Sequence, residues 1–160
     1  MRKKKNHTLP FMTFIVLVLI SLAVLAVINS FDTTGFVEAD ILEVSGNTII
    51  IGSGCQAIVA DTTAERAYSI ELGIEGIIDE RPNTHDIFAE TLKSFNITLD
   101  YVTMDRFEDG VYYANLFLRT KDKVLKLDSK PSDAIALALR TNSTIYINET
   151  MLNEVGESVC

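Results

Sequence analysis

Tryptophan is absent from this 160-residue chain, proline occurs three times, and cysteine and histidine occur twice each. Cys55 and Cys160 have no Cys-x-x-Cys pair or Cys/His spacing around them, which excludes an ordinary structural zinc site. One disulfide is arithmetically available, although a cysteine at the last position is prone to fray. No glycine-rich phosphate loop, no Gly-x-Ser-x-Gly and no cofactor fingerprint occurs, so the local signals of P-loop, serine-hydrolase and dinucleotide chemistry are missing. Low-complexity tracts are missing too, and repetition is limited to two similar helix starts. Basic residues are the minority, 14 against 22 acidic. Four of the 14 (Arg2, Lys3, Lys4, Lys5) fall within residues 1–30, which hold no acid. That leaves 10 basic against 22 acidic in residues 31–160, a net charge of −12. A domain this acidic repels a phosphate backbone unless cations or a local basic cluster intervene, which argues against general nucleic-acid binding.

What the chain does have is hydrophobic residues, 48% of the total against 22% charged, with a mean hydropathy of +0.22. That excludes a disordered chain and suffices for one domain with a core. The apolar residues are unevenly spread. Leu9 to Ile28 is an uncharged run of 20 residues, about 30 Å as a helix, the thickness of a bilayer's hydrocarbon core. The basic residues just before it place the amino terminus in the cytoplasm by the positive-inside rule. The run is longer than a signal-peptide core, its exit Val27-Ile28-Asn29-Ser30 has no Ala-x-Ala pattern, and no lipoprotein-type cysteine follows; an uncleaved anchor is favoured over a cleaved signal. The expectation is a basic cytoplasmic tail over 1–8, a transmembrane signal-anchor helix over 9–29, a linker over 30–36 and a domain over 37–160. The protein is then single-pass in the cell membrane, with its C-terminal domain extracytoplasmic. Sequons at Asn96, Asn142 and Asn148 suit a surface protein, but weakly, since these residue types are common here.

Within the domain, Phe36 to Val44 and Thr48 to Ile51 are β-rich runs joined by Ser45-Gly46-Asn47, a hairpin pattern, and Ala57 to Ala60 is a third short strand. Thr62 with Glu65 reads as a capping box opening a helix that ends at Gly73. A second helix starts at Thr84, with Ile87, Phe88, Leu92 and Phe95 on one face and Asn96 as its stop. Strands over Ile97 to Arg106 and Val111 to Arg119 flank Glu108-Asp109-Gly110, a strong hairpin signal, and Val124 to Asp128 is a shorter strand. The helix Ala134 to Arg140 is apolar nearly all round, which marks burial on most sides. Thr144 to Ile147 is the last strand, followed by a few weakly helical residues. The expected class is α+β, a mixed, mainly antiparallel sheet with about three helices, preceded by one transmembrane helix.

Two helix starts share a chemistry: Arg81-Pro82-Asn83-Thr84-His85-Asp86 and Asp128-Ser129-Lys130-Pro131-Ser132-Asp133. Each joins a base, a proline, a hydroxyl and a first-turn carboxylate, which is sound N-terminal capping. The same residues are also the ingredients of metal-assisted phosphodiester hydrolysis. Asp86, Asp128 and Asp133 are candidate ligands for Mg²⁺ or Mn²⁺, His85 a proton carrier, and Arg81 a stabiliser of developing charge. Sequence alone does not show that the two corners meet. His85 at a helix start has a capping reading beside the functional one, and the dipole there favours its neutral form.

Arg-Pro-x-Thr-His-Asp, followed about 45 residues later by Asp-x-x-Pro-Ser-Asp-Ala-Ile-Ala-Leu-Ala, resembles the bifunctional nuclease domain family, as does the intervening Asp109-Gly110-Val111-Tyr112-Tyr113-Ala114. The resemblance covers roughly residues 36–155. It implies a compact α+β domain, a homo-oligomer, and DNase and RNase activity as reported for some members. Its motif positions carry Arg81, Thr84, His85, Asp86, Asp128, Ser132 and Asp133 over as candidates: Asp86, Asp128, Asp133, His85 and Arg81 catalytic, Thr84, Ser132 and Lys130 substrate-binding. Lys130 stands where the family usually has arginine, losing a bidentate fork, and Asn83 replaces an apolar residue.

The aromatics Tyr101, Phe107, Tyr112, Tyr113 and Phe117 read as cross-strand packing or an oligomer interface in preference to base-stacking platforms. Lys121, Lys123, Lys126 and Lys130 read as solvated lysines around a turn. Two functions remain in view: an outward-facing, metal-assisted nuclease, and a non-enzymatic oligomeric binding module whose two motifs are fold determinants. Convergence of His85 and the three aspartates favours the first; scattering favours the second.

Overall fold

The computed structural model describes residues 13–21 and 32–160. It divides into a unit of residues 1–34 and a unit of residues 35–160. In the first unit residues 13–21 form a helix (α1), and Asp32 Oδ1 accepts the Thr34 N–H at 2.9 Å. Here the expected transmembrane helix over 9–29 is corrected. Among the described residues no helix is long and apolar enough to cross a membrane. Residues 1–12 and 22–31, with the remainder of that expectation, lie outside the described residues.

The second unit runs β1 (Phe36–Glu38), β2 (Asp40–Ser45), β3 (Thr48–Ser53), β4 (Gln56–Asp61), α2 (Ala64–Glu75), α3 (Thr84–Ser94) and β5 (Thr98–Glu108), then β6 (Val111–Arg119), β7 (Val124–Ser129), α4 (Pro131–Thr141), β8 (Thr144–Asn148), α5 (Glu149–Val155) and β9 (Glu157–Ser158). The α+β class stands. The single sheet with about three helices does not: the described residues form two sheets and five helices. A five-stranded sheet has the order β1-β8-β5-β6-β7, antiparallel except for β5 beside β8; a four-stranded antiparallel sheet has the order β2-β3-β4-β9.

The Phe36 to Val44 run explains the difference. It reads as one continuous β-rich run, interrupted only by Glu38, Asp40 and Glu43, but it serves both sheets. Val37 pairs with Ile147 in the larger sheet, Ile41 pairs with Ile51 in the smaller, and buried Ala39 between them donates its N–H to Ile145 O at 2.9 Å. Hydropathy reports burial and is silent on which neighbour does the burying.

The core lies where α4 meets both sheets. Ala134, Ile135, Ala136, Leu137 and Ala138 are buried, together with Val102, Met104, Leu116 and Ile147 of the larger sheet and Ile49, Ile51 and Ile58 of the smaller. α4 also packs against α2 and α3, so it has almost no free face, as its composition implies. Turn residues follow the expected physics. Asp109 (φ 52°) and Gly110 (φ 78°) give the β5–β6 connection the two positive φ values of a type I′ hairpin.

Helix boundaries are where propensity misleads. α2 starts on Thr63, whose side chain makes no capping hydrogen bond, so the Thr62–Glu65 capping box is not formed. It also passes through Gly73 and ends on Gly76, left-handed at φ 67°. Gly73 has a different use: an ideal Cβ there would lie 3.0 Å from both Leu139 Cβ and Arg140 Nη1. The glycine lets α2 and α4 approach. The sequon asparagines are also structural: Asn96 (φ 53°) follows the end of α3, Asn142 (φ 53°) ends α4, and Asn148 Oδ1 accepts the Met151 N–H of α5 at 3.0 Å.

Candidate functional site

The first corner begins with a cap. Asn83 Oδ1 accepts the backbone N–H groups of His85 (2.8 Å) and Asp86 (3.2 Å), while Asp86 Oδ2 accepts the Asn83 N–H at 2.8 Å. This is a reciprocal capping box built from Asn and Asp. The other Asp86 oxygen takes the Arg140 Nε–H at 2.5 Å, with side-chain exposures of 5% and 8%, so the pair is buried. Arg140 Nη1 donates further to Ser69 O (2.9 Å) and Ala136 O (2.8 Å). One guanidinium thereby ties α2, α3 and α4 together. Burial raises the Asp86 carboxyl, but the Arg140 hydrogen bond, the Asn83 N–H and the Arg140 charge outweigh it, holding the group below its ordinary value.

His85 continues the network. Its Nδ1 lies 2.9 Å from Ser69 Oγ, which also accepts from Asn83 Nδ2 at 3.2 Å, and its Nε2 lies 3.5 Å from Asp133 Oδ1. A lone pair on Nε2 would face a carboxylate. The consistent tautomer therefore carries its proton on Nε2 and accepts the Ser69 hydroxyl proton at Nδ1. Burial is the largest influence on the ring and pushes its pKa down; the Asp133 charge pulls the other way, and the Arg140 charge adds to the lowering. Asp133 Oδ1 also accepts the Arg66 Nε–H at 3.1 Å, both side chains about a third exposed. The two corners therefore meet, through a relay Asn83, Ser69, His85, Asp133, Arg66.

The remaining candidates divide. Ser132 and Lys130 sit beside Asp133 at the start of α4 and line a cavity. Arg81 and Thr84 are exposed on the approach to α3. Asp128 is on edge strand β7, paired with Asn115, and is exposed. Side chains alternate along a strand, and its neighbour Leu127 packs on the core, so Asp128 is on the opposite face of the sheet. The expected metal set is not gathered. Asp86 is taken by Arg140, Asp133 by Arg66 and His85, Asp128 is elsewhere, and no group of three or more metal-type ligands occurs among the described residues. These donors do not fit a divalent-ion site.

The cavity beside Asp133 has a volume of about 390 Å³. Its apolar wall comes from Ile49, Ile51, Met104, Tyr112 and Ile135, and its polar rim from Arg66, Lys130, Ser132 and Asp61. Thr63 and Lys130, the first-turn caps of α2 and α4, both line it, and neither makes a side-chain capping bond. Two helix N-termini with their partial positive charge thus face one cavity. Ser132, 8% exposed, lines the same cavity. A larger groove of about 910 Å³ lies between α3 and the end of α2, bordered by exposed Ile77, Ile78, Ile87 and Phe95; its polar lining includes the paired Asp86–Arg140 together with Glu90 and Lys93.

A family model described as the bifunctional nuclease domain matches residues 57–159. The chain belongs to the bifunctional nuclease domain family. Two uncharacterized proteins of Mycobacterium tuberculosis, from strains CDC 1551 and H37Rv, are each 32% identical over 90 residues, covering 56% of this chain and 53% of theirs. The chain thus spans about half the length of the curated relatives it matches.

Within this bifunctional nuclease domain, sequence reasoning passed over Arg66, Ser69 and Arg140. Arg140 carried a signal: a cation at the end of a helix buried on most sides requires a carboxylate partner. Arg66 and Ser69 carried none, since a three-residue spacing on a polar stretch of helix is ordinary. The aromatics pack on one another. Tyr101 stacks on Phe117 with centroids 4.4 Å apart, Phe107 packs on Tyr112 at 4.4 Å, and the Arg106 guanidinium lies 3.8 Å over Tyr113.

Proposed function

We propose that this domain binds and cleaves nucleic-acid phosphodiesters at the corner formed by the N-termini of α2 and α4. The observation that carries the reading is the meeting of the two motifs at one oxygen. Asp133 Oδ1 stands 3.1 Å from Arg66 and 3.5 Å from His85, beside a cavity rimmed by Lys130 and Ser132. In this scheme Arg66, Lys130 and the uncapped N–H groups hold the phosphate, and Ser132 donates to one of its oxygens. Asp133 orients the attacking water and takes its proton; the water oxygen forms the new P–O bond as the ester oxygen departs. In the same scheme the ammonium of Lys130 returns a proton to that leaving oxygen. His85, locked by Ser69, positions Asp133. The scheme runs on the chain's own side chains, since no group of three or more metal-type ligands gathers among the described residues.

The test is cleavage of labelled single- and double-stranded DNA and RNA by the full chain, with Mg²⁺ or Mn²⁺ and with EDTA, beside Asp133→Asn and Arg66→Gln. Cleavage reduced at least about 100-fold in both variants supports the site; this lies within the usual reach of one positioned acid-base or electrostatic group. Equal cleavage in wild type and variants removes the assignment. The competing reading, an oligomeric binding module, has its own support in the network that braces three helices through Arg140, and folded protein without cleavage favours it.

Two further expectations belong to the same proposal. The Cys55–Cys160 disulfide, with Cα atoms 5.2 Å apart, supports a working environment that is oxidising, outside the cytoplasm. Homo-oligomerisation is proposed as well; the exposed Ile77, Ile78, Ile87 and Phe95 are the apolar surface it would cover, and sedimentation above the 17.7 kDa monomer mass is the expected result.

A further inference from the structure

We infer that the 390 Å³ cavity between α4 and the two sheets receives an unpaired nucleobase, so that the preferred substrate is single-stranded. This rests on the phosphodiester reading above and adds the substrate's form. The cavity is two-sided in chemistry. Its wall of Ile49, Ile51, Met104 and Ile135, with the Tyr112 ring at one side, offers apolar contact and no charge. At its rim stand two cations, Lys130 and Arg66, the latter also held by Asp133 Oδ1 at 3.1 Å, and the lining acid Asp61 accepts a hydrogen bond from Thr48 Oγ1 at 2.7 Å. A ligand that fits both parts has a flat apolar body joined to an anion, which describes a nucleotide. The volume lies at the low end of small-molecule sites, about 300–1,000 Å³, so it takes one such body.

A second, independent observation points into the same space. Ser132, 8% exposed, lines the cavity at the start of α4, where its hydroxyl is available to a ligand's polar edge. Duplex DNA cannot meet these demands without extruding a base, because its bases are stacked and paired; a single strand presents them free. Strand selection follows from a domain of net charge −12 in the same way. Two rim cations engage few phosphates, so binding depends on base burial more than on backbone charge.

The experiment measures fluorescence-anisotropy binding of the full chain to a single-stranded DNA decamer, the same sequence as a duplex, and an abasic decamer with the same phosphates. The expected result is at least about tenfold tighter binding of the single strand than of either control, with a logarithmic salt slope of about 1.4 for two phosphates held. Val111→Asp places a carboxylate at the cavity mouth on a half-exposed hairpin residue outside the core. It should lower single-strand affinity about tenfold and leave the unfolding midpoint unchanged; Ser132→Ala should weaken binding by a smaller factor. Equal binding of abasic and normal strands, or of duplex and single strand, overturns the base pocket while leaving phosphodiester cleavage open. Base-selective binding by a protein that cleaves nothing removes the nuclease reading and keeps the pocket.

Discussion

At the scale of single residues, the family motif serves two ends from adjacent positions. Asp86 faces inward and is consumed by Arg140; His85, one residue earlier, reaches across to Asp133 at the half-exposed rim. Asp86→Ala leaves the Arg140 guanidinium buried without its counter-charge, and the expected loss is about 3–5 kcal/mol in chemical unfolding. A loss below 1 kcal/mol means that Arg140 finds other partners. His85 supplies a pH signature. Its folded pKa is below the ordinary value, so around pH 6 the unfolded chain binds more protons than the fold does. The stability contributed by the neutral ring is full above about pH 6.5 and falls as pH drops through that value. Asp86 acts in the same direction, below its own ordinary value of 3.8. Thermal unfolding from pH 7.5 to 5.5 should show a falling midpoint in the wild type and a flatter profile in His85→Asn. An identical slope in both would assign the effect to another group. These roles were half legible. Helix-start residue types named His85, Asp86, Ser132 and Asp133, but the partners Arg66, Ser69 and Arg140 are 14 to 67 positions away from the motif residues they touch, beyond any local pattern.

Among the elements, α4 is the organiser, and its composition announced as much. Alanine at positions 134, 136 and 138 lets α2, α3 and the larger sheet approach it closely. Gly73 does the same from the side of α2. Gly73→Leu puts a branched side chain against Leu139 and a guanidinium that has no freedom to retreat. The expected cost is about 1–3 kcal/mol of overpacking, in spite of leucine's better helix propensity. A stability gain in urea unfolding would show that the α2–α4 crossing opens without penalty. Reading Gly73 as a helix stop was reasonable from propensity alone, since glycine ends helices more often than it fills crossings. Tertiary approach distance decided otherwise.

For the whole molecule, closure depends on the two ends of the second unit. β9 adds to β4 through Gln56 and Ala57, Val159 N–H donates to Cys55 O at 3.0 Å, and the disulfide joins Cys55 to Cys160 across 105 residues. Cross-linking a loop of that length restricts the unfolded chain by about 4.7 kcal/mol in the entropic model, and removing native disulfides costs about 2–5 kcal/mol. Reduction with dithiothreitol, or Cys160→Ser, should lower unfolding stability by that amount with the fold retained; an unchanged midpoint would mean that β9 holds without its bridge. Much of this architecture was determined by the sequence alone. Its α+β class, the Asp109-Gly110 hairpin, the buried helix over 134–140 and the family motifs all rest on local periodicity, turn chemistry and contiguous patterns, which act over a few residues. The division into two sheets, the disulfide, the convergence of the two motifs at Asp133 and the scattering of the expected metal ligands belonged to the tertiary structure. Each of these depends on which distant segment supplies a neighbour, and burial patterns are the same whichever neighbour it is.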